Sequence, residues 1–297
     1  MPNWDRQYRL RAGIEGEKGF EVGEPDRRTK RAIHISFSVQ KSDSTTMNTT
    51  KIKLWNLNKE QISILTKTGC QIEIMAGYGT SRPIVFRGTV SNVNESLDGS
   101  DRMVEIEAVD GFASLSETQV SISYSGKIST YKVFRDVANQ LNLPVTYSAT
   151  AQDTLESSYF SNGYSFVGYA QYVLDEICEK TSLMWTIQNG ILQIRKGSEG
   201  ISTSVHRINK DTGLINIPKR VYSSATSDTN TTSDTASDML YGYEIEYFMN
   251  GAIGIGDRVY VESKIVTGMF MVTSLVIEGD NLEGNWQCTA EITEATL

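Results

Sequence analysis

The sequence predicts a mainly β protein with an α+β insert, in which two similar β-barrel-like domains flank a smaller α+β domain. Three observations carry this expectation. Apolar residues alternate with a period of two through residues 1–120, recur at helical spacing through 121–200, and alternate again through 201–297. Those limits are also the expected domain boundaries, since a chain of 297 residues exceeds the usual size of one domain.

In the first segment, His34–Val39, Lys51–Trp55 and Gln71–Tyr78 read as strands. Val104–Ala108 is the clearest: Val104, Ile106 and Ala108 share one face and Glu105 and Glu107 the other, as a strand with one wet face requires. A short helix is expected over Asn58–Thr68, with Asn58 as N-cap, Gln61 completing a capping box, apolar Ile62 and Leu65, and Gly69 as the stop. Pro83 and Gly88 bracket Ile84–Arg87, and Asp98-Gly99 marks a turn before the Val104 strand.

In the middle segment, Val133, Phe134, Val137 and Leu141 form an apolar stripe over Thr130–Leu141, which Pro144 follows. Ser165 is read as capping a second helix over Phe166–Lys180, with Phe166, Ala170, Val173, Leu174, Ile177 and Cys178 on its buried face. Ser182–Ile187 and Ile191–Arg195, joined by Gln188-Asn189-Gly190, read as a hairpin. Ser223–Asp238 is nearly devoid of apolar side chains and is expected to be a mobile loop. Strands are expected again at Tyr243–Phe248, Arg258–Ser263, Gly268–Ile277 and Trp286–Thr293. The two β-rich segments suggest a structural duplication, without enough identity to be a sequence repeat.

The formal net charge of −8 argues against stable nucleic-acid binding, which depends on clustered Lys and Arg. Cys70, Cys178 and Cys288 are too far apart for a disulfide framework or zinc motif and read as buried small hydrophobes of a reducing compartment. No apolar run is long enough to span a membrane, and the N-terminal residues lack a signal-peptide core, so membrane insertion is not expected.

No catalytic, cofactor-binding or metal site is expected, and the chain reads as a non-enzyme. His34 and His206 lack neighbours at ligand spacing. Glu105 with Glu107, and Glu244 with Glu246, place paired carboxylates on one strand face, whereas a glycosidase sets its pair across a cleft. Gly251, Gly254 and Gly256 have neither the spacing nor the following helix of a dinucleotide loop. Tyr78, Phe112, Tyr124, Tyr159, Phe160, Tyr164 and Tyr169 have faces that stack on sugars or bases, although such residues more often fill cores and subunit interfaces.

The stretch Lys51–Leu115 resembles the first tube-forming domain of phage baseplate hub proteins. The motifs that carry the resemblance are Trp55-Asn56-Leu57, Ala76-Gly77-Tyr78, Phe86-Arg87-Gly88-Thr89-Val90 and Ala108-Val109-Asp110-Gly111, in that order. Gly256-Asp257-Arg258-Val259, Gly268-Met269-Phe270-Met271-Val272 and Glu278 to Trp286 are similar to the second tube domain, with Glu278 where the family has histidine. Tyr169–Gly190 is similar to the family's helix followed by a W-x-I-x-N-G strand.

The resemblance implies a homotrimer whose paired domains make a pseudo-sixfold ring between a hexameric tail tube and a trimeric central spike. Its implied partners are a tail tube or distal tail protein, the spike, and other baseplate and tape-measure proteins. Assembly is expected in the host cytoplasm and residence in the virion tail. Glu105, Glu107, Glu244 and Glu246 are candidate lumen or rim positions, where negative charge would repel passing DNA. The competing expectations are a carbohydrate-binding adhesion module using Tyr159–Tyr172, and a cell-wall hydrolase fused to a hub, for which residues 125–200 are short.

Overall fold

The computed structural model describes residues 5–23, 32–45, 47–111, 115, 118–197, 199–202, 204–223 and 240–295. Phe112 and nearly all of the Ser/Thr/Asp-rich stretch read as a loop lie outside the described residues.

The first segment holds β1 (Arg6–Gly13), β2 (Phe20–Val22), β3 (Ile35–Ser42), β4 (Thr49–Trp55), α1 (Lys59–Leu65), β5 (Gln71–Tyr78), β6 (Ile84–Asp98) and β7 (Asp101–Val109). The capping box forms as the sequence predicts. Gln61 N donates to Asn58 Oδ1 and Asn58 N donates to Gln61 Oε1, each at 2.9 Å. These bonds satisfy donors that a helix start leaves orphaned.

The middle segment holds β8 (Gln119–Tyr124), β9 (Ile128–Ser129), α2 (Thr130–Leu141), β10 (Val145–Tyr147), α3 (Ala151–Ser157), β11 (Tyr159–Phe160), β12 (Tyr164–Tyr169), α4 (Ala170–Thr181), β13 (Met184–Gln188) and β14 (Ile191–Arg195). Here one expectation is corrected. Ser165 caps no helix; residues 164–169 are a strand paired antiparallel with β8, and α4 begins at Ala170. The predicted hairpin is present, with Asn189 and Gly190 at φ of 54° and 76°, the left-handed pair that a tight hairpin turn needs.

The last segment holds β15 (Val205–Asn209), β16 (Lys219–Ser223), β17 (Leu240–Phe248), β18 (Arg258–Glu262), β19 (Thr267–Asp280) and β20 (Trp286–Glu294). The protein is mainly β. Both outer segments join one 13-stranded sheet ordered β16-β17-β20-β19-β3-β4-β7-β6-β5-β1-β2, with β18 on β19 and β15 on β18. The pairings among described residues leave this sheet open rather than closed as a barrel.

Two hydrophobic clusters form. One runs from Tyr8 through Ile106 and on to Ile292, so the two outer segments share it. The other, from Leu115 to Ile194, belongs to the middle segment. Burying each such aliphatic side chain contributes roughly 1.5–3 kcal/mol.

The strand pairings repeat. β3-β4-β7-β6-β5 in the first half corresponds in order to β16-β17-β20-β19-β18 in the second. In each half a bulge falls at the same rung, between Val90 and Asn92 in one and between Val272 and Ser274 in the other. The extra residue carries a hydroxyl in both: Ser91 Oγ donates to Glu107 O at 3.1 Å, and Thr273 Oγ1 to Glu291 O at 3.2 Å. The halves meet where Ser274–Asp280 of β19 pair antiparallel with Ser36–Ser42 of β3.

Candidate functional site

Alternation along each strand divides the large sheet into an apolar face and a polar one. On the apolar side lie Ile52, Ile106, Ala290 and Ile245, all buried. The polar side runs across both halves without a break. One rung of the first half reads Ser38, Lys51, Glu107, Asn92 across β3, β4, β7 and β6. Its counterpart reads Lys219, Glu244, Glu291, Ser274 across β16, β17, β20 and β19.

All four carboxylates singled out in the sequence stand on this face, and each has a lysine near it. Lys51 Nζ lies 3.0 Å from Glu107 and Lys53 Nζ 3.7 Å from Glu105. Lys219 bridges Glu244 at 2.8 Å and Glu246 at 3.1 Å. The hydrogen bond from Lys51 holds the Glu107 carboxyl below its usual range, and Asn216 followed by Lys219 does the same for Glu246. The face is therefore laced rather than uniformly negative. Glu278 and Glu291 add carboxylates to it, and farther along the same face Arg11 and Arg87 flank Glu73 across β1, β5 and β6.

The two histidines have different surroundings. His34 stacks on Trp55 with ring centroids 3.8 Å apart, and its Nε2 lies 3.1 Å from the Asp280 carboxylate. His206 sits on β15 opposite Val259. Among the described residues no group of three or more His, Cys, Asp or Glu could hold a metal ion. Cys70, Cys178 and Cys288 are free and buried; burial pushes the Cys178 thiol up to about 12 and Cys288 up to about 11, away from nucleophilic ionisation. No helix among the described residues is long and apolar enough to cross a membrane.

The tyrosines divide. Tyr164 is buried and donates to Glu176 at 2.7 Å, and Tyr124 donates to Asp136 at 2.6 Å. Tyr78 donates to the Trp286 carbonyl at 3.4 Å. Phe160 tilts against Tyr164, whereas Tyr159, Val167, Tyr169 and Tyr172 are exposed.

A polar clamp between the large sheet and the middle segment escaped the sequence reading. Asp110, at the end of β7, is 1% exposed, and its carboxylate accepts from the backbone of Asn189 and, at 2.9 Å, of Gly190. Lys41 Nζ donates to Asn189 Oδ1 at 2.8 Å, while Asn48 Nδ2 donates to Ile187 O at 2.9 Å. Arg195, also buried, reaches Asp43 at 3.1 Å. Burial raises the Asp110 carboxyl above its usual range against the pull of Lys41, and lowers Lys41 to about 8. The Asp110-Gly111 and Asn189-Gly190 pairs are both visible in the sequence; that they meet is not.

No family model and no curated protein sequence matches this chain. Solved structures do. A tail protein from Neisseria meningitidis superposes with a TM-score of 0.63 at 11% identity, covering 97% of each chain. The 43 kDa tail protein of prophage MuSo2 from Shewanella oneidensis gives 0.60 at 12%, covering 98% of this chain and 97% of that one. An E. coli component of the type VI secretion system gives 0.59 at 9%, covering 96% and 77%. The fold is that of phage tail proteins and their secretion-system counterparts. Within this tail-protein fold the large sheet supplies the extended polar surface, and the clamp holds the middle segment against it, with Arg195 reaching Asp43 of the first half and Met271 of the second.

Proposed function

We propose that the chain is a structural baseplate hub, three copies of which form a pseudo-sixfold ring joining a hexameric tail tube to a trimeric spike around a channel for DNA. One observation carries this reading: a single chain holds two halves with the same strand order, the same bulge and the same bulge hydrogen bond. Three such chains supply six equivalent units, two per copy.

On this reading residues 1–120 and 201–297 each contribute a tube-like domain, and 121–200 is a separate α+β domain. The polar face bearing Glu105, Glu107, Glu244 and Glu246 lines the lumen or rim. Its lysine lacing weakens the repulsion of DNA, and around these four glutamates carboxylates still outnumber Lys51, Lys53 and Lys219. The partners are a tube or distal tail protein, the spike, and tape-measure or other baseplate proteins. The protein is not an enzyme and needs no cofactor, and it is made in the host cytoplasm before joining the tail.

The mass of the full chain in solution tests the ring. Three chains per particle, with a six-lobed outline in negative stain, is the expected result; a monomer at all concentrations would sink it. Exposed Tyr159, Tyr169 and Tyr172 favour a second reading, a tail-tip carbohydrate-binding module. That reading requires glycan binding that Tyr172→Ala abolishes. Clearing on a peptidoglycan gel would refute the non-enzyme assignment.

A further inference from the structure

We infer that the seam between copies pairs β6 of one chain with β16 of the next, antiparallel, with Glu95 facing Arg220. This rests on the ring reading and specifies its joint.

The internal junction is the template. β19 is longer than its partner β18: residues 267–271 pair with β18, and Ser274–Asp280 continue past it to pair with β3 on the same side. β6 has the same shape. Its first residues, 84–89, pair with β5, and Asn92–Asp98 continue past β5, with no described strand on that side. β16 corresponds to β3 and, among the described residues, likewise pairs on one side only, with β17. The sheet therefore ends in two bare strand edges that correspond to the two strands joined at its centre. Such edges attract further strands.

The register follows from the rungs. Asn92 corresponds to Ser274 and Lys219 to Ser38, each being the end of an equivalent rung. Within the chain Ile277 faces Val39, and both are buried. The corresponding residues are Glu95 and Arg220, both exposed. An apolar pair at the internal junction is thus replaced at the seam by opposite charges, which cross-strand neighbours favour. Among the described residues Glu95 makes a long contact, 3.8 Å, to exposed Arg102. Arg220 has no carboxylate partner among the described residues.

Leu97, 78% exposed, supports the same pairing. It corresponds to Gly279, which the ring of Phe37 covers at the internal junction. The residue matching Phe37 is Pro218, so the seam puts an apolar side chain opposite the proline and removes Leu97 from water.

Cross-linking of the full chain carrying Glu95→Cys and Arg220→Cys tests the seam, because directly opposed residues have Cβ atoms about 4.5–5.5 Å apart, within reach of a disulfide after small adjustment. The native cysteines are buried, which keeps background low. Oxidation is expected to give two- and three-chain species that reduction collapses, while either single substitution stays a single chain. Light scattering on the unsubstituted chain separates the two ideas. No cross-link in a chain of trimeric mass overturns the seam and leaves the ring; no cross-link in a chain that stays monomeric overturns both. As a second readout, Glu95→Arg and Arg220→Glu are each expected to lower the trimer fraction and the double reversal to restore it; loss without restoration counts against the pair.

Discussion

The two halves of the sheet share a strand order and a bulge yet differ in nearly everything that covers them. Between β4 and β5 stands a capped helix; between β17 and β18 the chain passes through a glycine-containing loop, Asn250–Asp257, without one. Where the first half sets Lys51 opposite Glu107, the second sets Glu244 opposite Glu291, a like-charge pair that Lys219 offsets from the other side. The clamp is unevenly shared: Lys41 and Asp110 of the first half hold Asn189 and Gly190, whereas from the second half Met271 accepts from Arg195. Pairing geometry and the apolar face are what the halves must share, because one slipped residue turns every core side chain outward. Connections and surface charge are free to diverge.

The most severe way to test that kinship is at matched core positions. Ile52→Ala and Ile245→Ala remove corresponding buried side chains from one cluster, and each is expected to cost about 2–5 kcal/mol in chemical unfolding. Both should lower the same transition of the large sheet. Two transitions, each sensitive to one substitution, would mean that the halves fold separately.

The junction separates the halves next. A Cβ at Gly279 would stand 2.3 Å from Cζ of Phe37, so Gly279→Ala should destabilise by about 1–3 kcal/mol. Its counterpart Leu97→Ala, on the bare edge, should move the stability of the single chain by less than about 0.5 kcal/mol. Equal effects would erase the distinction between a closed and an open joint.

The clamp responds to pH. Burial lowers Lys41 from its ordinary 10.5 to about 8, so between these values the unfolded chain binds more protons than the folded one. Stability from this group therefore rises with pH across that window, by at most ~1.4 kcal/mol per pH unit. Below it the buried charge opposes folding. The buried Asp110 carboxyl works in the other sense at acid pH: its raised pKa makes stability fall as pH rises from its ordinary value, 3.8, through the raised one. The difference in unfolding free energy between the native chain and Lys41→Met should show the alkaline rise; a flat difference would remove Lys41 as its source.

The bulges give the most symmetrical comparison. Ser91→Ala and Thr273→Ala each delete one bulge hydrogen bond and should cost a similar ~0.5–1.5 kcal/mol. Markedly unequal losses in thermal unfolding would show that the bulges serve different ends.

The strands with one wet face were legible because their alternation is local: Val104, Ile106 and Ala108 are buried and Glu105 and Glu107 are not. The capping box at Asn58 and the Asn189-Gly190 turn were legible for the same reason, each being set within four residues. Phe166 misled because it extends the apolar stripe of α4 by one turn, whereas its backbone is held by β8, more than forty residues upstream. β1 was unread likewise, since its partner β5 lies some sixty residues away. Glu105, Glu107, Glu244 and Glu246 stand on the polar face of the sheet, as their alternation implies, but their lysine partners act across strands and depend on registers that only the folded sheet defines.

β19 has a mechanical consequence. Its first residues belong to the pairing of the second half and its last to the pairing with β3, so one unbroken strand passes through the junction of the halves. Bending there would require breaking a ladder seven residues long between Ser274 and Asp280. Among the described residues the junction of the halves is thus a continuous ladder and offers no hinge. The middle segment is joined to the large sheet differently, through polar contacts around Asp110 and Arg195 and apolar ones from Met47 and from Ile187 over Gly111.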